Sequence, residues 1–194
     1  MAEYDPRTAL IVVDMQNDFA DPQGALYVRG GEQVVPVANA EIAKARAAGA
    51  LVVYTQDWHP PSTPHFAKDG GIWPVHCVRD SWGAGLHPDL VVAGAVVRTG
   101  LGSKDGYSGF EERDAAGGAG SKTPLEDLLR RRGIERLVVL GLATDYCVRA
   151  TALDGLARGF PTVVLADGVR PVDLAAGDGE RALDELRHAG ATIE

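Results

Sequence analysis

Short, continuously apolar runs rich in β-branched residues recur along the 194-residue chain, and longer segments of helical spacing stand between them. The runs are ALIVVD (9–14), ALVVYTQD (50–57), GAVVRTG (94–100), RLVVLGLA (136–143), PTVVLAD (161–167) and the terminal ATIE (191–194). Each reads as a strand. A strand that is apolar on both faces must be covered on both faces, which is the condition of a parallel sheet held between layers of helices. The helical segments cover 32–48, 124–132, 145–158 and 178–189. Pro124 opens one of them, and Gly49, Gly133, Gly159 and Gly190 follow their ends, as helix-start and helix-stop chemistry requires. The alternation predicts an α/β fold: a three-layer α/β/α sandwich, Rossmann-like, around a mainly parallel sheet of about six strands with right-handed crossovers. Ligands of such sheets bind beyond the carboxyl ends of the strands. Chemistry is therefore expected at that edge.

The length suits a single domain over 1–194. A formal charge of −8 with no long basic run speaks against nucleic acid as a partner. The start MAEYDPRTALIVVD lacks the basic-then-apolar-then-small pattern of a secretory signal, and no apolar stretch approaches membrane-spanning length. A cytoplasmic location without a membrane partner is the expectation. Cys77 and Cys147 are the two cysteines, so free thiols are expected rather than a disulfide framework. The patch AAGGAGS (115–121) reads as a surface loop, and the RRR run (130–132) suits a helix C-terminus.

Three strand ends deliver polar groups to one edge: Asp14 after the first, Asp57 after the second, and the turn ATDYC after the fourth. Any one aspartate there could simply cap a turn; three converging groups suggest a site. Cys147 stands where a strand stops and a helix starts, with Thr144 or Asp145 as the helix cap, a position that favours thiolate. Backbone N–H groups of Ala143 and Cys147 in the same turn could face a developing oxyanion. Asp57 and His59, two apart in an extended segment, project to one side. With His65 and His76 in the irregular, tryptophan-rich loop 58–90, they form a donor set that suits zinc, iron or manganese. Cys77, the neighbour of His76, points the other way and is assigned to packing. His87 and His188 read as structural.

The combination resembles the nicotinamidase/pyrazinamidase branch of the isochorismatase-like cysteine hydrolases over nearly the whole chain. The motifs are ALIVVDMQNDF (9–19), QDWHPPSTPHF (56–66), IWPVHCV (72–78), YSGFE (107–111) and GLATDYCVRATALD (141–154). The resemblance implies Cys147 as nucleophile, Asp14 as general base and acid, and Asp57, His59, His65 and His76 as ligands of one divalent metal ion, zinc first. It further implies a cis Leu142–Ala143 peptide, an oxyanion hole at Ala143 and Cys147, and Phe19, Trp73 and Tyr107 as walls around an aromatic carboxamide. A soluble hydrolase of pyridine-nucleotide salvage, assembled as a homo-oligomer, follows by the same analogy. One position departs from the pattern. The family completes its triad with a lysine at the end of the third strand, and here Thr99 holds that register; Lys104, five residues on, is the candidate replacement. Three readings follow: hydrolysis of nicotinamide and similar carboxamides, hydrolysis of a larger amide or an isochorismate-like substrate by the same thiol, or a catalytically impaired binding protein.

Overall fold

Strand β1 (Thr8–Val13) is the centre of the molecule, and every one of its side chains is buried. The computed structural model describes residues 2–102, 104–114 and 120–194, with backbone alone at 104, 105, 113 and 114. After β1 come a single helical turn α1 (Asn17–Ala20), helix α2 (Val34–Ala47) and β2 (Leu51–Asp57). Strand β3 (Ala95–Thr99) precedes three short strands, β4 (Lys104–Asp105), β5 (Glu111–Asp114) and β6 (Ser121–Lys122). The chain ends with α3 (Leu125–Arg131), β7 (Arg136–Leu142), α4 (Arg149–Ala157), β8 (Thr162–Arg170), α5 (Asp178–His188) and β9 (Thr192–Ile193).

The main sheet has six strands in the order β3-β2-β1-β7-β8-β9, with parallel pairing throughout. Its two faces follow the pleat. Leu10, Val12, Tyr54, Val138 and Leu140 pack against α2 through Val35, Ala38 and Ile42. Ala9, Ile11, Val13, Val53 and Val139 turn to the other side, where Leu125, Leu129, Ala152 and Leu186 supply the cover from α3, α4 and α5. Each fully buried Leu or Ile contributes roughly 2 kcal/mol of burial free energy. The three-layer sandwich expected from the apolar runs is the observed fold.

Several details differ from the sequence reading. The three short strands β4, β5 and β6 form a separate antiparallel sheet that no periodic pattern announced. β8 runs three residues beyond the expected end at 167, because a register shift between Val139 and Gly141 lets it resume pairing at Gly141↔Val169 and Leu142↔Arg170. Gly141 has φ +124°, and a Cβ there would lie 2.1 Å from the Val13 carbonyl oxygen, so β7 can approach β1 this closely only with glycine. The expected helix 145–158 is divided into a wide π-type turn, Thr144–Val148, followed by α4. Most of the glycine-rich patch 115–121 lies outside the described residues.

Candidate active site

At the carboxyl end of β1 the chain turns sharply at Asp14, whose φ of 46° is in the left-handed region that aspartate tolerates better than most residues. The turn directs the carboxylate toward β2. Asp14 Oδ1 accepts a 2.5 Å hydrogen bond from the Thr55 hydroxyl, and the Asp14 amide donates to the same hydroxyl at 3.1 Å. The Cys147 thiol is the next polar neighbour of the carboxylate, close enough to lower its pKa as a hydrogen-bonding partner would. Burial pushes the Asp14 carboxyl up to about 7, the nearby negative charge of Asp57 adds to the rise, and the Thr55 hydroxyl and the Cys147 thiol oppose it.

Cys147 lies in the π-type turn after the Leu142–Ala143 peptide, which is cis. The expectation of a thiolate is corrected here. Burial pushes the thiol well above the usual cysteine range, and the charges of Asp14 and Asp57 push it further. Burial first, and then the two carboxylates, disfavour the thiolate, so the sulfur is held as S–H with Asp14 placed to receive its proton. The expected cap is also corrected. Ala143, not Thr144 or Asp145, occupies the capping position, and no side chain caps the turn. The Thr144 hydroxyl is buried without a hydrogen-bond partner, while the Asp145 carboxylate accepts the amides of Val172 and Asp173, both at 2.9 Å. Asp145 thereby ties the Cys147 turn to the segment that follows β8.

The histidines converge as their spacing suggested. Buried His59, His65 and His76 each offer a ring nitrogen, and these atoms lie within 4.8 Å of one another. Asp57 Oδ2 is 2.8 Å from His59 Nε2 and 3.5 Å from His76 Nε2. Burial alone would raise the Asp57 carboxyl, but His59 and His76 outweigh it and hold the group below the ordinary carboxylate range. Three imidazoles beside an ionised carboxylate, shielded from solvent, are a donor set that fits a divalent metal of the zinc, iron or manganese kind. Cys77, by contrast, packs in the apolar core.

A cavity with an empty volume of about 360 Å³ opens over this group. Phe19, Trp73 and Tyr107 line it together with Asp57, His65, His76, Ala143 and Cys147, whereas Asp14 and His59 are buried and are not among the lining residues. The Trp73 indole N–H donates to the Tyr107 hydroxyl at 3.0 Å, and Tyr146 meets both rings edge-on at 4.9 and 5.1 Å. The Lys104 side chain lies outside the described residues. Thr99 is buried at the end of β3, in register with Asp57.

Sequence reasoning missed Leu26, Val28, Leu142, Tyr146 and Val172, which complete the lining. Leu26 and Val28 sit in an irregular segment without period; Tyr146 adjoins Cys147 and could have been inferred from that position. It also missed Gln16, whose fully buried amide accepts from the Asp57 N–H at 2.8 Å and donates to the Asp57 and Ala84 carbonyls at 2.7 and 2.9 Å. Both backbone groups of Asp57 are thus clamped by one side chain.

Comparison with known proteins agrees with this geometry. The isochorismatase domain family model matches residues 8–194. The nicotinamidase of Escherichia coli strain K12 is 40% identical over 206 residues, covering 97% of this chain and 94% of that protein. The crystal structure of the pyrazinamidase of Pyrococcus horikoshii in complex with zinc superposes with a TM-score of 0.87 at 42% identity, covering 97% of this chain and 99% of that one. PnC1 from L. infantum in complex with nicotinate superposes with a TM-score of 0.90 at 37% identity, covering 100% and 95%. With a six-stranded parallel sheet, and with Cys147, His65 and His76 lining one cavity, this chain belongs to the isochorismatase family.

Proposed function

We infer that this protein is a nicotinamidase, an amidohydrolase that converts nicotinamide and similar small aromatic carboxamides to the acid and ammonia. The observation that carries the reading is the buried Asp14 carboxylate beside the Cys147 thiol, which lines a cavity together with His65 and His76. Asp14 takes the thiol proton as the sulfur attacks the carboxamide carbon, and the backbone N–H groups of Ala143 and Cys147 face the oxygen that gains charge. Asp14 then passes the proton to the nitrogen, the C–N bond breaks, ammonia leaves and a thioester to Cys147 remains. Water attacks the thioester, Asp14 again handles the proton, and the acid and the free thiol are regenerated. Phe19, Trp73 and Tyr107 hold the flat ring. His59, His65, His76 and Asp57 would hold the metal, zinc first, which when bound supplies a Lewis-acidic docking point for the ring nitrogen.

In this reading one domain over 1–194 carries the activity, in the cytoplasm, as a homo-oligomer serving pyridine-nucleotide salvage. No helix among the described residues is long and apolar enough to cross a membrane. Ammonia release from nicotinamide by the purified protein, run beside pyrazinamide, larger amides and isochorismate, tests the assignment. Release only from larger amides would transfer the same chemistry to another substrate. Thr99 favours one alternative, a binding protein of impaired catalysis, and silence with every substrate would select it.

Two predictions arise from the site. Stripping the metal with a chelator is expected to weaken nicotinamide binding about tenfold or more while Cys147 remains open to alkylation by iodoacetamide; full activity of metal-free protein would contradict the proposed ligands. Lys104→Ala is expected to lower turnover about 100-fold at an unchanged thermal midpoint, if Lys104 supplies the charge that Thr99 does not. Wild-type turnover in that variant would leave the chemistry to Asp14 and Cys147 alone.

A further inference from the structure

The cavity is walled on two sides by irregular chain, with Leu26 and Val28 on one segment and His76 on another. Neither wall belongs to the six-stranded sheet. The second is joined to the residues after β2 by one bridge, His59↔Val78, and among the described residues nothing of that kind joins the two walls to each other, so side-chain bonds between them bear on their separation. One buried carboxylate reaches both. Asp18 Oδ1 accepts the Ala25 amide at 2.9 Å, immediately before Leu26, and Asp18 Oδ2 accepts the Cys77 amide at 2.7 Å, immediately after His76. Its main chain adds to the same junction, since the Leu26 amide donates to the Asp18 carbonyl and the Asp18 amide donates to the Gly83 carbonyl. Gly83 seals the far side: a Cβ there would lie 2.0 Å from Asp18 Oδ2. We propose that Asp18 is a positioning residue that sets the distance between the apolar wall of the substrate pocket and the His76 wall.

The chemistry calls for a carboxylate. Two backbone N–H donors approach the two oxygens, and an ionised carboxylate accepts both in charge-assisted bonds. Asparagine, of nearly the same shape, offers one oxygen and one N–H₂, so one of the two amides faces a donor and that wall is released. Because one carboxylate bonds to both walls, its loss is expected to change substrate fit and metal affinity together. The substrate half of the inference rests on the nicotinamidase reading; the metal half does not.

The experiment compares wild type, Asp18→Asn, Gly83→Ala, which presses a methyl group on the same carboxylate, and Leu129→Ala, a cavity variant on α3 in the opposite core layer. KM and kcat for nicotinamide are measured, together with the zinc dissociation constant by competition with a chelating dye. Asp18→Asn and Gly83→Ala are expected to raise both KM and the zinc dissociation constant about tenfold, with a smaller change in kcat. Leu129→Ala is expected to lower the thermal midpoint and leave both constants in place. The proposal is overturned if Asp18→Asn keeps wild-type constants, if only one constant moves, if the loss is carried by kcat, or if Leu129→Ala moves both equally. Should Asp18→Asn fail to fold, Gly83→Ala decides by the same criteria. Absence of turnover in the wild type would sink the nicotinamidase reading instead, and the zinc measurement would still decide this one.

Discussion

Cys147→Ala is expected to reduce nicotinamide turnover by about 10⁴-fold or more while leaving the fold, zinc binding and ligand binding intact. The sulfur is the one atom in the cavity proposed to bond covalently to the acyl carbon, and without it the carboxamide can react only with water. The cost to folding is small, because Cys147 lies at the cavity surface and loses a single sulfur atom on substitution. Rapid-quench mass spectrometry adds a second readout. Wild type should show an acyl adduct during turnover that Cys147→Ala lacks, whereas appreciable turnover by the alanine variant would remove the thioester route.

Asp14→Asn is expected to cost about 10³-fold in turnover, the range of a lost general acid and base. The thiol is held protonated by burial and by two carboxylates, so removing its proton acceptor leaves a weak nucleophile. Asparagine keeps an oxygen for the Thr55 hydroxyl that now donates to Asp14 Oδ1, so the turn after β1 is retained. The same substitution has a consequence for stability in the metal-free protein. In the unfolded chain the Asp14 carboxyl titrates near its ordinary value of 3.8, and in the fold it is raised to about 7. Between those values the folded protein keeps a proton that the unfolded chain has lost, so this group makes stability fall as pH rises through the window. Asparagine does not titrate. The thermal midpoint of Asp14→Asn relative to wild type is therefore expected to climb from about pH 4 to about pH 8, and a gap independent of pH would show that Asp14 is not raised in the fold.

These two effects belong to groups that were visible before any coordinates. Asp14, Asp57 and the ATDYC turn stand at strand ends, and a strand end in a parallel sheet is already a position in space. His59, His65 and His76 were legible for a different reason: imidazoles close in sequence to a carboxylate in an irregular loop have few structural uses and a ready chemical one. Leu26, Val28 and Val172 carried no such mark, since apolar residues in loops are common and only the closing of the cavity gives them a role. Gln16 and Asp18 were also unreadable, because each acts on backbone groups of segments dozens of residues away.

The apolar runs and their spacing determined the α/β sandwich by themselves, because a strand buried on both faces admits few architectures. Residue chemistry at the strand ends marked Cys147 and the donor set as candidates in the same way, and the family resemblance proposed Asp14 as the acid/base partner. The protonation of Cys147 was decided only by tertiary structure. From sequence the sulfur stood at a helix start, which favours thiolate; in the fold it is buried, and the charges of Asp14 and Asp57, brought from two other strands, add to the effect of burial in disfavouring the thiolate. Electrostatics is summed over neighbours in space, and those neighbours exist only once the sheet has formed.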